Sequence, residues 1–217
     1  MCIRDRKKGY EGPLAVIPQF GVDPEIFSPP EGPKHERPVH IAYLGRLVPE
    51  KGVDLLLQAL NELRGEWQLT IQGGGPEETR LRAMAETTRL KERVSFRPLI
   101  PSVNMPEFYR QIDVLVLPSR RQANWMEQFG RVLVEAMACG VTVVGSETGE
   151  IPHVIGDAGF TFAENDVAAL QLILNRLIRT PELRKTMGSR GRARVLAHFT
   201  QRQIAIETLR VYEEMMR

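Results

Sequence analysis

The chain has 217 residues, 42% hydrophobic and 26% charged, with a net charge of +2. That balance is ordinary globular usage and excludes a disordered or low-complexity chain. The basic residues are scattered without interleaved aromatics, which excludes a nucleic-acid face, and no run reaches the ~18 apolar residues of a membrane span.

Two cysteines, Cys2 and Cys139, make no C-x-x-C, and the four histidines, His35, His40, His153 and His198, have no zinc spacing. No metal site is therefore expected, and the absence of a visible signal peptide fits a reduced, cytoplasmic setting.

In chain order, Met1 to Lys8 carries no apolar pattern, and Gly12 to Pro30 (GPLAVIPQFGVDPEIFSPP) reads as a strand near 14–17 followed by a proline-rich linker. The next strand spans 38–44, with Gly45 as a sharp exit. A helix over 53–64 turns Leu55, Leu56, Ala59, Leu60 and Leu63 inward. Arg46 stands at the carboxyl end of the strand, where open α/β sheets bind ligands. Lys51 falls just before or in the first helical turn, where a cation opposes the helix dipole at a cost of roughly 0.3–1 kcal/mol that a bound anion would reverse.

A strand over 68–72 runs into Gly73, Gly74 and Gly75, a turn whose backbone can approach a ligand or a neighbouring strand closely. A dinucleotide fingerprint needs a sixth-position glycine, and Glu78 stands there, so an NAD site is excluded. Short strands follow over 94–97 and 113–118.

The stretch from Trp125 to Gly145, WMEQFGRVLVEAMACGVTVVG, is the most informative. A polar loop carries Glu127, a helix spans Phe129 to Cys139 and closes at Gly140, and a strand covers 141–145. The stripe Phe129, Val132, Leu133, Ala136 and Met137 turns Glu135 away from the core. The helix N-terminus offers free amides to a phosphate, and the two carboxylates can accept hydrogen bonds from sugar hydroxyls. That combination suits a phosphorylated sugar. A short helix over 151–155, a helix over 165–178, another opened by Pro181 and a last one over 200–216 with Thr200 as N-cap complete the chain. His153 reads as a surface residue. The Arg184 to Arg194 run reads as the solvated face of a helix, its functional reading being contact with anionic lipid headgroups.

The Glu127 to Glu135 spacing resembles the E-x7-E signature of family 4 (group 1) glycosyltransferases. The Arg46 to Gly52 and Gly73 to Pro76 segments resemble the same family's phosphate and glycine turns. The resemblance implies a Rossmann-like doubly wound parallel sheet with C-terminal helices, the C-terminal half of a GT-B enzyme. It implies catalytic roles for Arg46 and Lys51 on the donor diphosphate and for Glu127 on the donor sugar. Gly45, Gly73, Gly75, Phe129, Gly130, Arg131 and Val132 would line the donor site, with Glu135 on the ribose hydroxyls. At Ser146 to Gly156 the sequence departs from the family's Gly-Gly-x-Pro-Glu run, with Glu150 and His153 in place of a glycine and a glutamate.

Gly12 to Pro30 resembles the family's last N-terminal strand and interdomain linker. Residues 1–37 are accordingly expected to be a remnant of an N-terminal domain and linker, and 38–217 the donor-binding domain. The implied reaction is transfer of a sugar from a UDP-, GDP- or ADP-sugar to a sugar or lipid-linked acceptor, with retention and no bound metal. The missing acceptor domain would be a partner, and the setting cytoplasmic, at the inner membrane face. The alternatives are a GT-B nucleotide-sugar epimerase and a non-catalytic donor-binding subunit of a two-chain enzyme.

Overall fold

Short runs rich in Val, Leu and Ile, bounded by Gly, Pro and Asp, build six strands: β1 (Val39–Leu44), β2 (Trp67–Gln72), β3 (Val94–Arg97), β4 (Val114–Leu117), β5 (Thr142–Ser146) and β6 (Phe160–Phe162). In the structure, a computed structural model that describes residues 9, 11–12, 15–18, 20–32, 38–86 and 89–216, they form one sheet in the order β3-β2-β1-β4-β5-β6. Every neighbouring pair is parallel. β4 and β5 are buried along their whole length, which is why they read as continuous apolar runs instead of alternating ones.

Eight α-helices are described: α1 (Val53–Asn61), α2 (Glu78–Glu86), α3 (Met105–Gln111), α4 (Arg131–Ala138), α5 (Ile151–Ile155), α6 (Val167–Arg179), α7 (Pro181–His198) and α8 (Gln201–Met215). The fold is therefore the expected doubly wound, Rossmann-like α/β sheet with C-terminal helices. Its strand order reverses between β1 and β4. The loops leaving those two strands diverge there, and the crevice between them at the carboxyl edge is where such sheets take ligands.

Several expectations change. The strand near 14–17 does not form: residue 14 lies outside the described residues, 15–17 are not strand, Val16 is exposed, and β3 and β6 hold the two edges of the sheet. Met1 to Lys8, and with it Cys2, also lies outside the described residues, as does His35. β6 escaped the sequence reading because three residues carry no periodicity, and it forms by pairing with β5. Helix α4 begins at Arg131, not Phe129, because Gly130 takes a left-handed conformation at φ 75° ahead of it. Phe129 nevertheless stays buried.

The largest correction concerns Glu135, expected to face away from the core and found buried with its helix. The reason is tertiary: α4 is enclosed by α3, α5, α7 and the sheet, so its buried surface is far wider than one apolar stripe. Glycines in α7 permit that enclosure. A Cβ at Gly191 would lie 3.0 Å from Met137, and one at Gly188 would collide with the Gly140 carbonyl.

The Arg184 to Arg194 run is not a plain solvated face either. Arg184 donates to the carbonyls of Leu177 and Ile178, Arg192 to those of Ala138, Phe27 and Pro24, and Arg194 to those of Val154 and His153. These guanidiniums satisfy carbonyls at helix ends and in the 24–27 segment. The buried Cys139 is a packing residue as expected, and Thr200 does cap α8, accepting from the Gln203 amide at 3.1 Å.

Candidate functional site

Two loops meet across the crevice. The loop after β1 makes a short 3-10 turn at Pro49–Lys51 before α1, and the loop after β4 carries Glu127. They are locked together at three places. The Arg120 amide donates to the Glu50 carbonyl at 2.8 Å, the Arg120 guanidinium pairs with Asp54 at 2.7 Å, and Gly52 lies so close to the Pro118 carbonyl that a Cβ there would collide with it. Gly52 also has φ 64°, so glycine is required twice over at this contact.

Lys51 and Glu127 face each other across this junction. The Lys51 ammonium donates to Glu127 Oε2 at 2.6 Å, with side chains only 15% and 12% exposed, so solvent screens the pair weakly. The same ammonium lies 5.0 Å from the Trp125 ring centroid, on the attractive π face. Trp125 is positioned by a tight turn in which it exchanges backbone hydrogen bonds with Gln122. Glu127 also accepts from the Ser119 hydroxyl at 3.1 Å, and Ser146 in turn donates to the Ser119 carbonyl. Behind it, the Glu150 amide donates to the Glu127 carbonyl at 3.1 Å, and Gly149 leaves that carbonyl the room a Cβ would fill.

Arg46 sits at the mouth, 63% exposed and 3.8 Å from Glu50. An exposed pair at that distance contributes little, and the long side chain can swing to an anion in the crevice. Its backbone is fixed by Tyr43, whose hydroxyl donates to the Arg46 carbonyl at 2.7 Å. Burial, and after it the charge of Glu127, pushes the Tyr43 phenol well above its ordinary pKa, so it stays a donor. The expected glycines lie beside it. Gly45, Gly73 and Gly75 hold two loops together: the Leu47 amide donates to Gly74 and the Glu77 amide to Leu47, and a Cβ at Gly73 or Gly75 would strike the Gly45 or Leu47 carbonyl. Their close approach is to protein backbone.

At the other side of the crevice, α4 starts with no side-chain cap at Gly130, and its first-turn amides carry partial positive charge. One turn in, Glu135 is held by two donors, the Tyr109 hydroxyl on Oε2 at 2.8 Å and Arg131 on Oε1 at 2.6 Å. By their chemistry Arg46, Lys51 and the first-turn amides of α4 suit phosphates, and the two carboxylates suit hydroxyls. His153 is exposed on α5 and stands apart from these groups in the hydrogen-bond network. Sequence reasoning missed Ser119, Tyr43, Trp125 as a π partner and Tyr109. Ser119, directly beyond β4 at the carboxyl edge, was the one whose place could have flagged it. Among the described residues, no cluster of three His, Cys, Asp or Glu side chains is arranged to hold a metal ion.

The family model described as Glycosyl transferases group 1 matches residues 25–194. The chain belongs to this family. Among curated relatives of this group 1 chain, a GDP-mannose-dependent alpha-(1-6)-phosphatidylinositol monomannoside mannosyltransferase of Mycolicibacterium smegmatis is 34% identical over 87% of the chain and 54% of the relative. The chain thus spans about half the length of the curated relatives it matches. Among solved structures, a sucrose-phosphate synthase of Thermosynechococcus elongatus superposes with TM-score 0.82 at 25% identity, covering 99% of the chain and 56% of that structure. Anabaena HepE, solved with UDP and glucose, shares the fold at TM-score 0.71 and 23% identity, over 83% of the chain and 48% of HepE. No described helix of the group 1 chain is long and apolar enough to cross a membrane.

Proposed function

We propose that this chain supplies the donor-binding part of a glycosyltransferase that moves a sugar from a nucleotide diphosphate sugar to an acceptor with retention. The observation that carries the reading is the Lys51 to Glu127 pair bridging the β1 and β4 loops at 2.6 Å, at the crevice where the sheet reverses.

A diphosphate entering that crevice draws Lys51 and Arg46 toward its oxygens, and the first-turn amides of α4 face the same charge. Leaving of the nucleoside diphosphate is then assisted by cations already in place. Lys51 exchanges a carboxylate for a diphosphate, and Glu127, kept oriented by Ser119, becomes available to the donor sugar hydroxyls. Glu135 takes the ribose. Two carboxylates used in this way position the donor; they do not form the acid and base pair of a glycosidase. Acceptor choice belongs to the part of the enzyme facing this crevice, with a sugar or lipid-linked acceptor as the expected class.

The name of the 34% identical relative makes GDP-mannose the first donor to try, and the UDP bound to HepE makes UDP-sugars the second. Calorimetric titration of the full chain with GDP-, UDP- and ADP-sugars tests the reading. Saturable binding of one of them is expected, and a folded chain that binds none overturns it.

A further inference from the structure

The hydrogen bonding of Glu135 divides its two carboxylate oxygens between different tasks. Oε2 accepts from Tyr109 at 2.8 Å, and Tyr109 is completely buried. Oε1 accepts from Arg131 at 2.6 Å, and Arg131 is 56% exposed where Glu135 is 5% exposed. One oxygen is tied to the interior; the other is covered by a side chain that can move into water.

Tyr109 is itself built in. Its ring lies 6.2 Å from Phe27 and 6.0 Å from Phe108, and the next residue, Arg110, donates to the carbonyls of Ile26 and Ser28 at 2.9 and 3.1 Å. The phenol therefore cannot turn away from the carboxylate without disturbing both α3 and the 26–28 segment. Burial, with the charge of Glu135 beside it, holds its pKa far above the usual range, so it remains a hydrogen-bond donor throughout the physiological range. Arg131 has the opposite character: beyond Glu135, its guanidinium meets the Phe20 ring, at 5.8 Å.

We infer that Tyr109 is a positioning residue for donor binding: it fixes Oε2 so that Oε1, on release of Arg131, is presented to the ribose hydroxyls. This rests on the proposed donor-site reading and adds to it a residue that touches no ligand. An unpinned carboxylate could rotate and would have to be ordered again on each binding event, a cost the buried phenol removes beforehand.

The test is titration of the full chain with GDP, UDP and ADP, and with the 2′,3′-dideoxy form of the one that binds, for wild type, Tyr109→Phe and Phe27→Leu. In wild type the ribonucleotide binds more tightly than its dideoxy form. Tyr109→Phe is expected to weaken the ribonucleotide about tenfold, as for loss of one charge-assisted hydrogen bond, while leaving the dideoxy affinity unchanged. Phe27→Leu keeps the hydroxyl and lowers the melting temperature without narrowing the ribo-to-dideoxy ratio. An unchanged ratio in Tyr109→Phe, or equal losses for both ligands, overturns the positioning role. Equal affinity of wild type for the two forms removes the ribose from Glu135 while leaving the donor site standing, and no binding by wild type removes the donor site itself.

Discussion

Lys51 and Glu127 neutralise each other at rest, and the consequence is a pair of opposed substitution effects. If a diphosphate must take Lys51 from Glu127, then Lys51→Met removes a charged donor from the ligand, and nucleoside diphosphate affinity falls by about tenfold to a hundredfold. Glu127→Gln removes the competitor, so the same affinity holds or rises while sugar transfer by the complete enzyme drops. Calorimetry on both variants with GDP and UDP decides the matter; parallel losses in the two would mean that the pair is only a structural brace. Tyr43 gives a separate, pH-dependent signature. Its folded pKa is raised above the ordinary value of 10.0, so its contribution is fully present below that pH. As the pH climbs further, the unfolded chain releases the phenolic proton and the folded chain keeps it. Stability then declines by up to about 1.4 kcal/mol per pH unit for one such tyrosine. Denaturant melts should show that Tyr43→Phe lowers this alkaline slope and shifts stability uniformly near neutral pH; an unchanged slope would mean that the phenol ionises in the folded state.

At the scale of elements, local signals were legible wherever a single element carried them. β1, β2, β3, β4 and β5, and the helices after β4 and β5, lie within a residue or two of their expected positions, because apolar runs bounded by Gly or Pro mark them, while α1 starts at Val53 as expected and ends at Asn61, three residues short of the expected 64. The places of Arg46 and Lys51 were legible for the same reason: a position at the end of a strand or the start of a helix is visible in one dimension. What stayed hidden depends on partners distant in sequence. Glu135 reads as a helix-surface residue until α3 is laid against its side of α4, and the glycines that admit α7 on the Met137 and Gly140 side, Gly188 and Gly191, lie some fifty residues further on. Tyr109 looks like one more aromatic in a helix, since nothing local says that its hydroxyl meets a carboxylate 26 residues away. The arginines of α7 were misread because periodicity cannot distinguish a guanidinium in water from one donating to a carbonyl on another element. β6 shows the complementary limit: three residues are too few for any pattern, and pairing alone defines them.

The whole molecule is closed by a strap that the sequence suggested would be a linker. Val22 pairs with the start of α8 through the Phe199 carbonyl and the Gln201 amide, at 2.9 and 3.1 Å. Further along, Arg110 holds the Ile26 and Ser28 carbonyls, and Arg192 reaches from α7 to the Pro24 and Phe27 carbonyls and to that of Ala138 at the end of α4. The strap also places Phe20 5.9 Å from Phe129 and Phe27 against Tyr109, so it borders the Glu135 end of the crevice at two points. Arg192 joins strap, α4 and α7. Arg192→Met keeps much of the apolar stem and removes every one of these donors, leaving three carbonyls, two on the strap and one at the end of α4, short of a partner. The expected cost is about 2–3 kcal/mol, set by loss of charge-assisted hydrogen bonds and not by packing. Hydrogen exchange locates the effect: the amides of Val22 and Phe27 should exchange faster in the variant, while those of β4 and β5 keep their protection until global unfolding. Uniform acceleration across the sheet would show instead that the strap and the core open as one unit, and that Arg192 supports the entire fold.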